Sequence, residues 1–190
     1  MRAALVALGL VAAGCAAQPE RVYTPREAAA ATSAAPAVPT PVTETIAVGE
    51  KMKVEVEWPA APDPLLKAFT RYYVDSRKAV VSGGAAYLTW VEGPAAGDAH
   101  DWVKDFRGRS LTGTAKIYAL TVSARMGKGA QVNACVDETG LRLTSKTGQA
   151  YARQPEWTRE TYLQAVVLHH GDDGVWRIKD FRSSDEGCDR

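Results

Sequence analysis

From Lys51 to Trp58 the side chains alternate, with Lys51, Lys53, Glu55 and Glu57 charged and Met52, Val54, Val56 and Trp58 apolar. A period of two sends the two sets to opposite faces of an extended chain, so Ile46 to Trp58 is predicted as a half-buried strand ending at Pro59. The period then lengthens. Asp63-Pro64 supplies an N-cap and a first-turn proline, and Leu65, Leu66, Phe69, Tyr72, Tyr73, Ala79 and Val80 fall within one helical arc, with Ser76 the only polar residue inside it. Lys67, Arg71 and Lys78 lie opposite, and Gly83-Gly84 ends this helix of about five turns. Two shorter helices follow, around Ala85 to Val91 and around Ala99 to Phe106, the second burying Trp102, Val103 and Phe106. Strand patterns return after Gly113. Lys116 to Met126 and Ala130 to Val136 face each other across Gly127-Lys128-Gly129, and Thr158 to His170 faces Val175 to Arg182 across Gly171-Asp172-Asp173-Gly174. Leu141 to Thr144 adds a short strand. Helices followed by a meander of hairpins predict an α+β domain, with the Asp63 helix across one face of a curved antiparallel sheet.

The segment from Ala16 to Thr45 is different: rich in Ala, Pro, Thr and Ser, it carries too little large apolar surface to fold. It reads as a tether. Ahead of it, Leu5 to Cys15 spell LVALGLVAAGC, a short apolar run closing in Ala12-Ala13-Gly14-Cys15. Small side chains just before a cysteine are what a signal peptidase cleft admits, and a thiolate directly after them is what lipid transfer needs. The expected division is a lipoprotein signal peptide over 1–14, a tether over 15–45 and a folded domain over 46–190. The lipobox has Ala12 where a larger aliphatic residue is usual, so an ordinary cleaved signal with Cys15 incidental is the alternative. The apolar run is too short to span about 30 Å of hydrocarbon as a helix.

Charge and cysteines narrow the picture further. The formal net charge of the 190-residue chain is +1, with both signs interspersed, so no field gathers nucleic acid or an anionic surface. Of the three cysteines, Cys15 is assigned to lipid, which leaves Cys135 and Cys188 to pair in an exported chain. Cys135 shares its strand face with Gln131, Asn133 and Asp137, opposite Val132, Ala134 and Val136, and is expected off the main core where the tail reaches it. Neither cysteine has a second Cys or His at zinc-ligand spacing, so no metal site is assigned.

Catalytic chemistry has few candidates. Asp75 sits at the margin of the long helix's apolar face and reads first as a solvated carboxylate. His100 and Asp101 are sequence neighbours and do not face each other on a helix. His169 and His170 point to opposite faces of a strand. No strained Gly-x-Ser-x-Gly turn is present, no catalytic residue is assigned and no cofactor motif is read. The candidate pocket residues are Tyr72, Tyr73, Asp75, Trp102, Tyr118, Tyr162 and Trp176, whose aromatic members serve either as core or as the lining of a cavity mouth.

A helix with paired tyrosines (KAFTRYYVDSRKAV), a long strand pair around AQVNACVDETG and a closing hairpin ending in VWRIKDF resemble the NTF2-like cone fold, and more narrowly a group of actinobacterial lipoproteins that carry it. The resemblance covers Trp58 to Arg190 and is topological. It implies N-terminal helices packed on a curved sheet around a cone, a fold that hosts ketosteroid-isomerase-like and cyclase-like enzymes as well as proteins that only bind or dimerise. An apolar interior and no convincing ionisable group inside it favour a binding or assembly module of the cell envelope, lipid-anchored through Cys15 on the extracytoplasmic face of the cell membrane. A small-molecule enzyme or apolar-ligand pocket protein is the alternative. The expected partners are the membrane and an envelope protein, with a second copy of the chain joined through the sheet as a further candidate and nucleic acid excluded.

Overall fold

The structure is a computed structural model and describes residues 40–188. The expected signal peptide, the lipidation site Cys15 and the tether up to residue 39 lie outside the described residues.

Val42–Ala47 (β1) and Met52–Trp58 (β2) pair antiparallel across a turn in which the Val48 amide donates to the Met52 carbonyl at 3.0 Å. The single strand expected from Ile46 is therefore two, and the sheet opens upstream of that boundary. β1 escaped the hydropathy pattern because it is an exposed edge strand with little apolar alternation to read. β2 follows its pattern, with Met52, Val54, Val56 and Trp58 all buried.

Pro64–Ser82 (α1) begins where Asp63 accepts the Leu65 amide at 2.9 Å, and its other carboxylate oxygen takes the Arg125 guanidinium. It stops at Gly83, whose φ of +82° suits a residue without a Cβ. The helix expected around Ala85 is one turn of 3₁₀ geometry over Ala86–Trp90, and the next, Gly93–Phe106 (α2), starts at Gly93 rather than Ala99. Pro94 in its first turn needs no amide partner there, which accounts for the earlier start.

Ser110–Met126 (β3), Gly129–Asp137 (β4), Leu141–Thr144 (β5), Tyr162–His170 (β6) and Trp176–Ser184 (β7) complete a seven-stranded sheet of order β1-β2-β3-β4-β6-β7, with β5 on β3. The fold is α+β, as expected, but the sheet is mixed. β2 and β3 run parallel from Met52↔Gly113 to Val56↔Ile117, which corrects the all-antiparallel expectation. Hairpin turns dictate antiparallel neighbours, whereas the long helical connection between β2 and β3 leaves the second strand able to return in the same direction. The register slips between Tyr118 and Thr121, where Ala119 adopts φ +51°, and this bulge bends the long β3.

α1 packs on β3, β4 and β7, and α2 on α1 and β7. Leu65, Phe69, Val80, Val54, Ile117, Val136 and Leu168 are almost wholly buried between these layers, each contributing about 1.5–3 kcal/mol of transfer free energy. A separate small cluster holds Tyr118, Leu163 and the Cys135–Cys188 disulfide, whose Cα atoms are 5.6 Å apart. The pairing read from cysteine parity is thus present, off the main core. Where β3 passes the turn into β5, the backbones nearly touch: a Cβ on Gly113 would lie 2.1 Å from the Gly140 carbonyl oxygen, and one on Gly140 would lie 2.5 Å from that of Thr114. Only glycine fits there.

Candidate functional site

That close approach sets the turn from Asp137 to Leu141, in which the Asp137 side chain accepts the Thr139 amide at 3.0 Å and the Glu138 carbonyl accepts the Leu141 amide at 2.9 Å. Glu138 follows Val132, Ala134 and Val136 by the same period of two, and its side chain is directed inward. It is 0% exposed. The expectation of an apolar interior is therefore corrected: a carboxylate sits at the centre of the fold.

Its partners come from α1 and β6. Oε1 accepts the Tyr73 hydroxyl at 2.5 Å and Arg77 Nη2 and Nε at 2.9 and 3.2 Å, while Oε2 accepts the Tyr162 hydroxyl at 2.7 Å. The remaining terminal nitrogen of Arg77, Nη1, donates to Ser76 Oγ at 3.0 Å. The guanidinium is stacked between rings, 3.8 Å from the Tyr73 centroid and 4.4 Å from that of Trp102. Burial lowers the guanidinium pKa of Arg77, but Glu138, with the neighbouring phenols, outweighs it and raises the pKa. Burial first, and the Glu138 charge second, hold the Tyr73 and Tyr162 hydroxyls well above the ordinary phenol value. Both stay protonated and both donate a hydrogen bond to the same carboxylate.

Tyr73, Arg77 and Tyr162 form the floor of a cavity of about 770 Å³. α1 adds Phe69 and Tyr72, α2 adds Asp98, Ala99 and Trp102, and β7 adds Phe181 and Ser183. The segment from Glu156 to Glu160 closes the side with Trp157, which meets Trp102 at 6.0 Å and Phe106 at 5.7 Å between ring centroids. Tyr72 lies 5.0 Å from Phe181, and burial, partly countered by Arg77, pushes its hydroxyl up to about 12. Glu138 does not line the cavity; it lies behind the floor.

Of the candidate pocket residues, Tyr72, Tyr73, Trp102 and Tyr162 meet at this cavity. The other three lie elsewhere. Asp75 accepts Trp90 Nε1 at 2.9 Å and borders a second groove of about 590 Å³ between α1 and β1. Tyr118 joins the disulfide cluster, donating to the Cys188 carbonyl at 3.1 Å. Trp176 packs against His170 at 4.8 Å. His100 is exposed, with Nδ1 3.4 Å from the Tyr87 hydroxyl. Sequence reasoning missed Arg77 and Glu138, although each had a signal: Arg77 is one helical turn after Tyr73, and Glu138 continues the inward strand face. Among the described residues no cluster of three or more His, Cys, Asp or Glu is placed to hold a metal ion, and no helix is long and apolar enough to cross a membrane.

No family model matches the chain, and no curated protein matches it. Among solved structures, the chain is similar to a candidate ketosteroid isomerase from Shewanella frigidimarina NCIMB 400, at 15% identity over 62% of this chain and 92% of that one, with a TM-score of 0.33. A likeness this distant assigns no chemistry to the cavity.

Proposed function

We propose that this chain is a lipid-anchored, extracytoplasmic binding module whose NTF2-like domain takes a small, largely apolar molecule into the cavity between α1, α2 and the β6–β7 hairpin. One observation carries the reading: an aromatic cavity of about 770 Å³ whose floor, Tyr73, Arg77 and Tyr162, is locked from behind by Glu138. That volume is typical of small-molecule sites, and a floor already fixed by hydrogen bonds loses little conformational freedom when a ligand arrives. Glu138 is not placed to act as a catalytic base, because a general base must reach a substrate proton. Both oxygens of Glu138 are occupied and the residue is sealed from the cavity, so it acts as a support for its neighbours. The anchoring half of the reading rests on Ala12-Ala13-Gly14-Cys15, where two acyl chains hold a protein stably at a bilayer and one does not.

The test of the cavity is a titration of the folded protein with the neutral probe N-phenyl-1-naphthylamine, followed by energy transfer from tryptophan. Saturable one-to-one binding that raises the unfolding temperature is expected; a folded protein that shows no saturable binding overturns the reading. For the anchor, Cys15→Ser is expected to move the protein from the detergent phase to the aqueous phase in phase partitioning, and an unchanged partition refutes lipidation.

A further inference from the structure

We infer that the ligand of this cavity is a cation, an amine or quaternary ammonium carried on an apolar body; this rests on the binding reading above and adds the charge. Four carboxylates, Asp98, Glu156, Glu160 and Asp185, border the cavity, against two guanidiniums, Arg77 and Arg159. Arg77 brings no net charge, because Glu138 lies 2.9 Å away and neutralises it. Arg159 is exposed and donates to the Gln154 carbonyl at 3.2 Å. The mouth is therefore net negative on a chain whose formal charge is +1, a segregation that would make the mouth attractive to cations.

Below the rim the walls suit the same charge. An aromatic face is the negative end of a quadrupole and attracts ammonium or guanidinium groups within about 6 Å. The cavity already shows this with its own cation, since Arg77 is stacked on Tyr73 and Trp102. Trp157 and the tilted pair Tyr72 and Phe181 supply further rings along the walls. An anion would meet the rim carboxylates on entry and, on the floor, a guanidinium whose charge is already balanced. A neutral apolar molecule would use the rings and ignore the rim.

Three probes of one shape separate these cases: (1-naphthylmethyl)trimethylammonium, its carbon isostere 1-neopentylnaphthalene, and the anion 1-naphthylmethylphosphonate. Titrated into the full-length protein at low salt, the ammonium is expected to bind roughly tenfold more tightly than the isostere and the phosphonate more weakly than either, with the gap narrowing as salt rises. The Glu156→Gln/Glu160→Gln variant is expected to bring the ammonium-to-isostere ratio towards one; both positions are exposed, so folding is preserved. Equal binding of ammonium and isostere, or a preference for the phosphonate, overturns the inference while leaving the binding site in place. Failure of all three to bind overturns the binding reading itself.

Discussion

Glu138→Gln removes one charge from the centre of the fold while keeping the side chain's shape. In the native protein that carboxylate takes Arg77 at 2.9 Å, Tyr73 at 2.5 Å and Tyr162 at 2.7 Å with no exposure to water. The amide retains one acceptor oxygen but leaves the guanidinium buried without a counter-charge, a situation that costs about 3–5 kcal/mol. Against a total of about 5–15 kcal/mol for a domain of ordinary stability, this is a large share. With a urea slope of about 2 kcal/mol per molar, the midpoint is expected to fall by about 2 M. Urea titrations followed by tryptophan fluorescence and far-ultraviolet circular dichroism measure it, with the disulfide kept oxidised. Arg77→Met is expected to lose a comparable amount, by stranding the carboxylate instead. The double variant Arg77→Met/Glu138→Gln is expected to be more stable than the sum of the two losses predicts, by about 2 kcal/mol or more, because no charge is left behind. A loss under about 1 kcal/mol for Glu138→Gln, together with additive behaviour of the double variant, would refute the account of a mutually dependent buried pair.

Reduction of the Cys135–Cys188 bridge, which spans a sequence separation of 53, is expected to cost about 4 kcal/mol in the chain-entropy model, read as the difference between oxidised and reduced urea midpoints. Tyr72, Tyr73 and Tyr162 have native pKa values above the unfolded phenol value, so the unfolded chain releases these protons first. Stability is then fully present below about pH 10 and falls as pH rises through the native values, Tyr72 acting between the ordinary 10.0 and about 12. Urea midpoints between about pH 9 and about pH 11.5 check this, and a flat profile would contradict it. Gly140→Ala drives a Cβ to 2.5 Å from the Thr114 carbonyl and is expected to cost about 1–3 kcal/mol by differential scanning calorimetry, whereas Gly97→Ala in α2, with nothing within 4 Å, is expected to stabilise by about 0.5–1 kcal/mol.

Much of the architecture was legible in local patterns. Asp63-Pro64 and Gly83 marked the ends of α1, and Gly127-Lys128 marked the β3–β4 hairpin, with Gly127 at φ +56°. These signals are short-range consequences of missing amides, capping side chains and glycine's lack of a Cβ. The cysteine pairing was legible from parity and strand phase. The candidate site was half legible: Tyr72, Tyr73, Trp102 and Tyr162 were recognisable as a set of aromatic residues, but nothing in one dimension separated them from Asp75, Tyr118 and Trp176. Which aromatic residues share a cavity depends on where α1 and α2 cross the sheet. Glu138 was legible in principle from the phase of Val132, Ala134 and Val136, yet a charged residue at a strand end reads as solvated until its partners are known.

By itself, then, the sequence determined both ends of α1, the β3–β4 and β6–β7 hairpins, which strand faces turn inward, that Cys135 and Cys188 pair, and that the first residues resemble an export and lipidation signal. Periodicity, capping and turn chemistry act over a few residues and leave their mark directly on the chain. Tertiary structure alone decided that β2 and β3 lie parallel, that Arg77 and Glu138 meet across a separation of 61 positions, and that a cavity opens above them. All three depend on contacts between elements far apart in the chain, and the buried ion pair shows the reason most plainly. A carboxylate or a guanidinium is stable in the interior only when its opposite arrives with it, and that meeting is set by the docking of α1 on β4, to which no local stretch of sequence refers.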